Sequence, residues 1–221
     1  MCGGDKIIVP RALSLLMGCV IALLLAELFF KVSNVWIGRH SDTMFEIVEY
    51  DPQLGWRMKP GLQKKIDLVD REDIPVRSNA QGFWDREFEK EKKPGRCRIV
   101  FLGDSFAWGF GVSEEERFSS LVQEVDSYWE NLNFAMPGYG TDQSLIVWRT
   151  VTQFYQPDVV ILTVYQNDYA DNMHSVRYGR RKPYFELNTE GELIESGIPV
   201  DPTHFWHDGI FNEIAPPYVQ F

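Results

Sequence analysis

A chain of 221 residues with 44% hydrophobic and 24% charged side chains can bury a sizeable core and is too apolar for wholesale disorder. Its formal net charge of −10 argues against a nucleic-acid backbone as partner, because that binding needs concentrated positive charge. Of Cys2, Cys19 and Cys97, only Cys97 lies beyond the apolar N-terminal segment, so no internal disulfide is expected there, and no metal-ligand spacing is present.

The first predicted element is a helix. Ala12 to Phe30 reads ALSLLMGCVIALLLAELFF, interrupted only by Ser14 and Glu27, and a bilayer-spanning helix needs roughly 20 such residues. Lys6 and Arg11 precede the run, and Lys31 and Arg39 follow it. The expected reading is an uncleaved signal anchor over residues 12–31. It stands ahead of a cleaved signal, for which no small-x-small site is clear, and of a buried soluble helix. On that reading residues 1–11 are cytoplasmic, the protein is a single-pass membrane protein, and everything after Lys31 lies outside the cytoplasm.

Residues 32–97 follow as an extended arm or connector. Between 41 and 97 there is no long periodic segment. DPQLGWRMKPG (51–61) is rich in turn formers, and REFEKEKKPGR (86–96) is a charged run that reads as solvated. SNAQGFWD (78–85) sets Gly82 before two aromatics, a turn that would pin the arm against a domain.

A domain over 98–221 then opens. Arg98 to Leu102 is a short apolar run stopped by Gly103, the pattern of a buried strand ending in a tight turn. Ser113 and Glu116 make a capping box, behind which Phe118, Leu121, Val122 and Val125 fall on one helical face. Asn131 to Phe134 reads as a strand, Asp142 to Tyr155 as a helix, and VVILTVY (159–165) as a strand. RYGRRK (177–182) reads as a solvated basic loop, with anion binding the lesser alternative, and YFEL-NTEG-ELIES as a hairpin. Strand, helix, strand, helix, strand is the rhythm of a parallel sheet covered on both faces, whose ligands sit beyond the carboxyl ends of the strands.

Three segments end those strands: GDSFAWGFG (103–111), NFAMPGYGT (133–141) and YQNDYADN (165–172). Each alone reads as an ordinary turn or cap. In this order they resemble the blocks of the SGNH (GDSL-type) serine hydrolases, and the arm segments DPQLGWRMKPG and SNAQGFWD resemble those of membrane-anchored bacterial members. The resemblance runs from the anchor to about Val200. It implies an α/β fold, a three-layer αβα flavodoxin-like core with a parallel sheet, preceded by the transmembrane helix. It implies Ser105 as nucleophile, with the Gly138 backbone NH and the Asn167 side-chain amide as oxyanion donors. Such preorganised donors matter because removing one commonly costs about 10²–10³ in rate.

The implied substrate is an acyl ester, on a glycan or a lipid, with no metal or organic cofactor. Walker-type and GxGxxG loops are absent from the sequence. Three functions stay open: an esterase or deacylase working through acyl-Ser105, an O-acyltransferase to a glycan hydroxyl, and a non-catalytic hydrolase-like domain that binds.

The family's base is a histidine in an Asp-x-x-His block near the C-terminus. Asp201-Pro-Thr-His204 matches literally, but no further strand and helix separate it from the third segment. His40 and His174 do not fit. The expectation is a core incomplete at its C-terminal end, with Asp201 and His204 as the alternative acid–base pair.

Overall fold

Residues Arg11–Ile47 coil into one helix, α1, consistent with their many strong helix formers. In this computed structural model the backbone is described for residues 11–68 and 71–202, and the side chains for 13–29, 46–67 and 71–202. The chain divides into two units, Met1–Thr43 and Met44–Phe221.

The expected membrane anchor is not supported. Among the described residues no helix is long and apolar enough to cross a membrane. The described side chains of α1 run from 13 to 29 and include Glu27. A carboxylate such as Glu27 interrupts the apolar run and is costly in hydrocarbon. The single-pass topology, and the extracytoplasmic placement built on it, fall with the anchor.

In the second unit, arm residues between Ile47 and Phe88 contribute side chains to the core. Strands β1 (Val48–Asp51) and β2 (Gly55–Met58) form a hairpin, closed where the Asp51 carboxylate accepts from the Gln53 and Leu54 backbone NH groups at 2.8 and 2.9 Å. Strands β3 (Gln63–Leu68) and β4 (Arg71–Arg77) form a second antiparallel pair. In β4 the pleat alternates, with Ile74 and Val76 buried between exposed Asp73, Pro75 and Arg77.

Trp56, Met58, Phe83, Trp84 and Phe88 carry this arm into the hydrophobic core. Trp84 lies against Trp108 with ring centres 4.3 Å apart, and the buried Arg117 guanidinium stacks 5.0 Å over Trp84. Each buried tryptophan removes roughly 200 Å² from water, about 5 kcal/mol before the entropy cost of ordering it.

The parallel sheet holds β5 (Cys97–Leu102), β6 (Trp129–Asn133) and β7 (Val159–Leu162) in the order β6-β5-β7. Between the strands run α2 (Ser105–Trp108), α3 (Phe118–Val125), α4 (Thr141–Thr150) and a 3-10 turn at Thr152–Tyr155. After β7 come α5 (Gln166–Asn172) and the hairpins β8 (Val176–Arg177) with β9 (Arg180–Arg181) and β10 (Tyr184–Leu187) with β11 (Leu193–Ser196).

The three-layer αβα sandwich is not what these strands form. Successive strand residues point to opposite faces. All four residues of β7 are nevertheless 38–44% exposed, so neither face of that strand is covered among the described residues. The predicted apolar face of α3 is also open, with Phe118, Leu121, Val122 and Val125 all exposed.

The Ser113 and Glu116 pair closes a turn ahead of the helix instead of capping it. Ser113 NH and Oγ both donate to the Glu116 carboxylate, at 3.0 and 3.1 Å, and Arg117 occupies the cap position. The helix expected to Tyr155 leaves α-geometry at Val151 (φ −128°, ψ −64°) and finishes as the 3-10 turn.

Candidate active site

The carboxyl ends of β5, β6 and β7 are stitched together by backbone. Phe134 NH donates to Phe101 O at 2.9 Å, Met136 NH to Gly103 O at 3.1 Å, and Thr163 NH to Leu102 O at 2.9 Å. Gly103 allows this convergence. Its φ is +144°, and a Cβ there would stand 2.9 Å from Thr163 O and 3.2 Å from the Ala107 methyl.

Ser105 opens α2 and is half-buried. One oxygen of the preceding Asp104 accepts from Phe106 NH at 2.9 Å, fixing the turn, and the other accepts from Asn167 Nδ2 at 3.1 Å. The first and third sequence blocks therefore meet through Asp104. Nδ2 also donates to Asp171 Oδ2 at 2.9 Å. Both amide hydrogens of Asn167 are thus held by carboxylates, which only accept. Its Oδ1 is buried and finds no donor among the described residues.

Gly138 sits at φ +80° in the loop after β6. Trp56 Nε1 donates to the neighbouring Pro137 O at 3.1 Å, and the buried Tyr139 hydroxyl donates back to Trp56 O at 2.5 Å. The arm hairpin therefore holds the second block in place. That block is tied to the third as well, since Asn172 Nδ2 donates to Thr141 Oγ1 at 2.6 Å and Asn172 Oδ1 accepts from Asp142 NH at 3.3 Å.

Beneath lies a group of carboxylates. Burial raises the Asp142 and Asp168 carboxyls above the ordinary range, although Lys182 pulls Asp142 down and the Tyr165 NH pulls Asp168 down. Lys182 is buried with its ammonium on the Asp142 carboxylate, and donates to the carbonyls of Asp171 at 3.1 Å and His174 at 3.3 Å. Arg177 pairs with Asp171, Nε to Oδ1 at 3.0 Å. Arg180 is buried over Trp56, 5.7 Å from the ring centre, and burial lowers its guanidinium to about 10.

The basic loop expected to be solvated is therefore largely spent on structure. Asp104 and Asp171 lie within the first and third sequence blocks and Arg177 and Lys182 within the basic loop, but the sequence does not single them out from their neighbours. Asp104 meets Asn167 across 63 positions and Lys182 meets Asp142 across 40, which one-dimensional spacing does not encode.

Asp201 lies 4.0 Å from Arg181, and its expected partner His204 is outside the described residues. No protein-family model matches this chain, and no curated protein matches it significantly. Among the described residues no group of His, Cys, Asp and Glu side chains is arranged to hold a metal ion.

Proposed function

We propose that this chain is an SGNH-type serine esterase or deacylase that forms an acyl-Ser105 intermediate on an acyl ester, borne by a glycan or a lipid. The observation that supports it is the meeting of three loops at one end of a parallel sheet, with the Asn167 amide bonded to the carboxylate beside Ser105.

In this reading Ser105 Oγ attacks the carbonyl carbon as its proton passes to a base. The ester C–O bond breaks, the alcohol departs with a proton, and water then releases the acid. Gly138 NH and Asn167 Nδ2 stabilise the oxygen that becomes negative. Asn167 gives up the longer of its two carboxylate bonds, the 3.1 Å one to Asp104, to do so. Transfer of the acyl group to a glycan hydroxyl instead of water uses the same residues.

A non-catalytic binding role is the second reading. It is favoured by the engagement of both Asn167 amide hydrogens, which leaves that donor committed before any substrate arrives.

Labelling of the full chain with a fluorophosphonate probe separates the two. Covalent labelling is expected in the wild type and should vanish in Ser105→Ala, with circular dichroism confirming that both are folded. A folded wild type that takes no label would leave only the binding role. The variant His204→Ala then asks whether Asp201 and His204 supply the base.

A further inference from the structure

The β8–β9 hairpin turns through Tyr178 and Gly179 at φ +50° and +69°. Two positive-φ residues form the type I′ geometry that Asn-Gly fits best. A tyrosine is poorly suited to the first position, and residues held in such backbone persist only where their surroundings over-determine them.

Those surroundings are the candidate site. A Cβ built on Gly138 would come within 2.7 Å of Tyr178 Cε2 and 3.1 Å of Cδ2, so the tyrosine ring lies against the bare backbone of that glycine. On the ring sits Arg177, its guanidinium 4.3 Å from the ring centre and its Nη2 donating to the Tyr178 hydroxyl at 3.2 Å. The Arg177 Nε is in turn 3.0 Å from Asp171 Oδ1, and Asp171 Oδ2 accepts from Asn167. One unbroken run of contacts thus joins Gly138 to Asn167 by way of Tyr178, Arg177 and Asp171. Tyr178 as a whole remains 46% exposed.

We propose that Tyr178 is a specificity-determining residue for the acyl group, its ring forming the wall of the site at Gly138, with Arg177 as the residue that positions it. This rests on the serine-esterase reading. When the acyl carbonyl oxygen lies at the Gly138 NH, the acyl chain leaves the same carbon within a few ångströms. There it meets the ring. Short acyl groups fit in front of the ring, and longer ones collide with it.

The test uses the full chain and compares kcat/KM for p-nitrophenyl acetate, butyrate and octanoate. Tyr178→Asn removes the ring while giving the turn its preferred Asn-Gly pair, and Tyr178→Phe keeps the ring and loses only the hydroxyl. A hydrophobic pocket discriminates about 10-fold or more per added methylene. The acetate-to-octanoate ratio should therefore fall at least about tenfold in Tyr178→Asn and stay within about twofold in Tyr178→Phe.

Arg177→Gln should shift the ratio in the same direction by a smaller factor. Fluorophosphonate labelling of Ser105 should persist in all three variants. If Tyr178→Asn fails to fold, Tyr178→Ala serves in its place.

An unchanged ratio in a labelled Tyr178→Asn protein would overturn the inference and leave the esterase reading standing. Absence of both labelling and hydrolysis in the wild type would remove the esterase reading, and this inference with it.

Discussion

Strands β5 and β7 lie side by side in one sheet, paired in parallel with Val100 opposite Val160 and Leu102 opposite Leu162. Their compositions are nearly the same. Yet Val100 and Leu102 are 0% and 4% exposed, while their partners Val160 and Leu162 are 41% and 44% exposed. Strand β5 has a neighbour on both edges and the tryptophan-rich arm packed into the core it faces. Strand β7 has one neighbour among the described residues. Burial is thus a property of what surrounds a strand and not of its residues, and an apolar run marks only a surface that water penalises.

Truncation of the two register-matched leucines gives the sharpest contrast. Leu102→Ala should cost about 2–5 kcal/mol, since it empties a filled position, whereas Leu162→Ala should cost about 1 kcal/mol or less. Equilibrium urea denaturation of both variants measures the gap. Equal losses would mean that β7 is covered in solution and that the asymmetry is not a property of the folded protein.

A smaller effect tests the arm. Arg71 on β4 makes an ion pair with Glu116, and together with the Ser113 donors it lowers the Glu116 carboxyl to about 2 from its ordinary value near 4.5. Between those values the unfolded chain binds the proton and the folded chain does not, so stability rises with pH across the window and falls as acid is added. Both side chains are on the surface, so the effect is small and salt-sensitive. Denaturation midpoints measured from pH 2.5 to 6 should fall less steeply on the acid side in Glu116→Gln than in the wild type. Identical slopes would remove this contact as a fastening of the β3–β4 hairpin.

What could be read from sequence follows the same division. Short runs between breakers located β5 and the start of β7, because Gly103, Pro157 and the β-branched residues act locally, whereas β6, expected over Asn131 to Phe134, begins two residues earlier at Trp129. The convergence of the Ser105, Gly138 and Asn167 segments was legible too, since parallel connections place successive strand ends together. The helix after Ser113 was misjudged at its start, where burial of Arg117 against Trp84 outweighs the local capping signal. The apolar periodicity of α3 located a face but could not say that the face stays open. RYGRRK looked solvated because nothing local reveals that Lys182 meets Asp142 or that Tyr178 meets Gly138. Trp56, which holds the Gly138 loop, is 81 positions from its acceptor Pro137.

The charged run at 86–96 has its own fastening. The fully buried Arg98 guanidinium donates to the carbonyls of Lys90 at 2.8 Å, Glu91 at 3.0 Å and Tyr155 at 2.5 Å, and pairs with the Glu130 carboxylate at 2.9 Å. Lys92 reaches Asp158 at 2.6 Å, and the same carboxylate accepts from Arg98 NH at 2.7 Å. A stretch that by composition invites trypsin is therefore bolted to the first residues of the sheet. Cleavage of the Lys90–Glu91 bond, flanked by the two carbonyls that Arg98 holds, should wait on release of Arg98, so its rate is a clock for the opening of this end of the sheet, read without any substrate for Ser105.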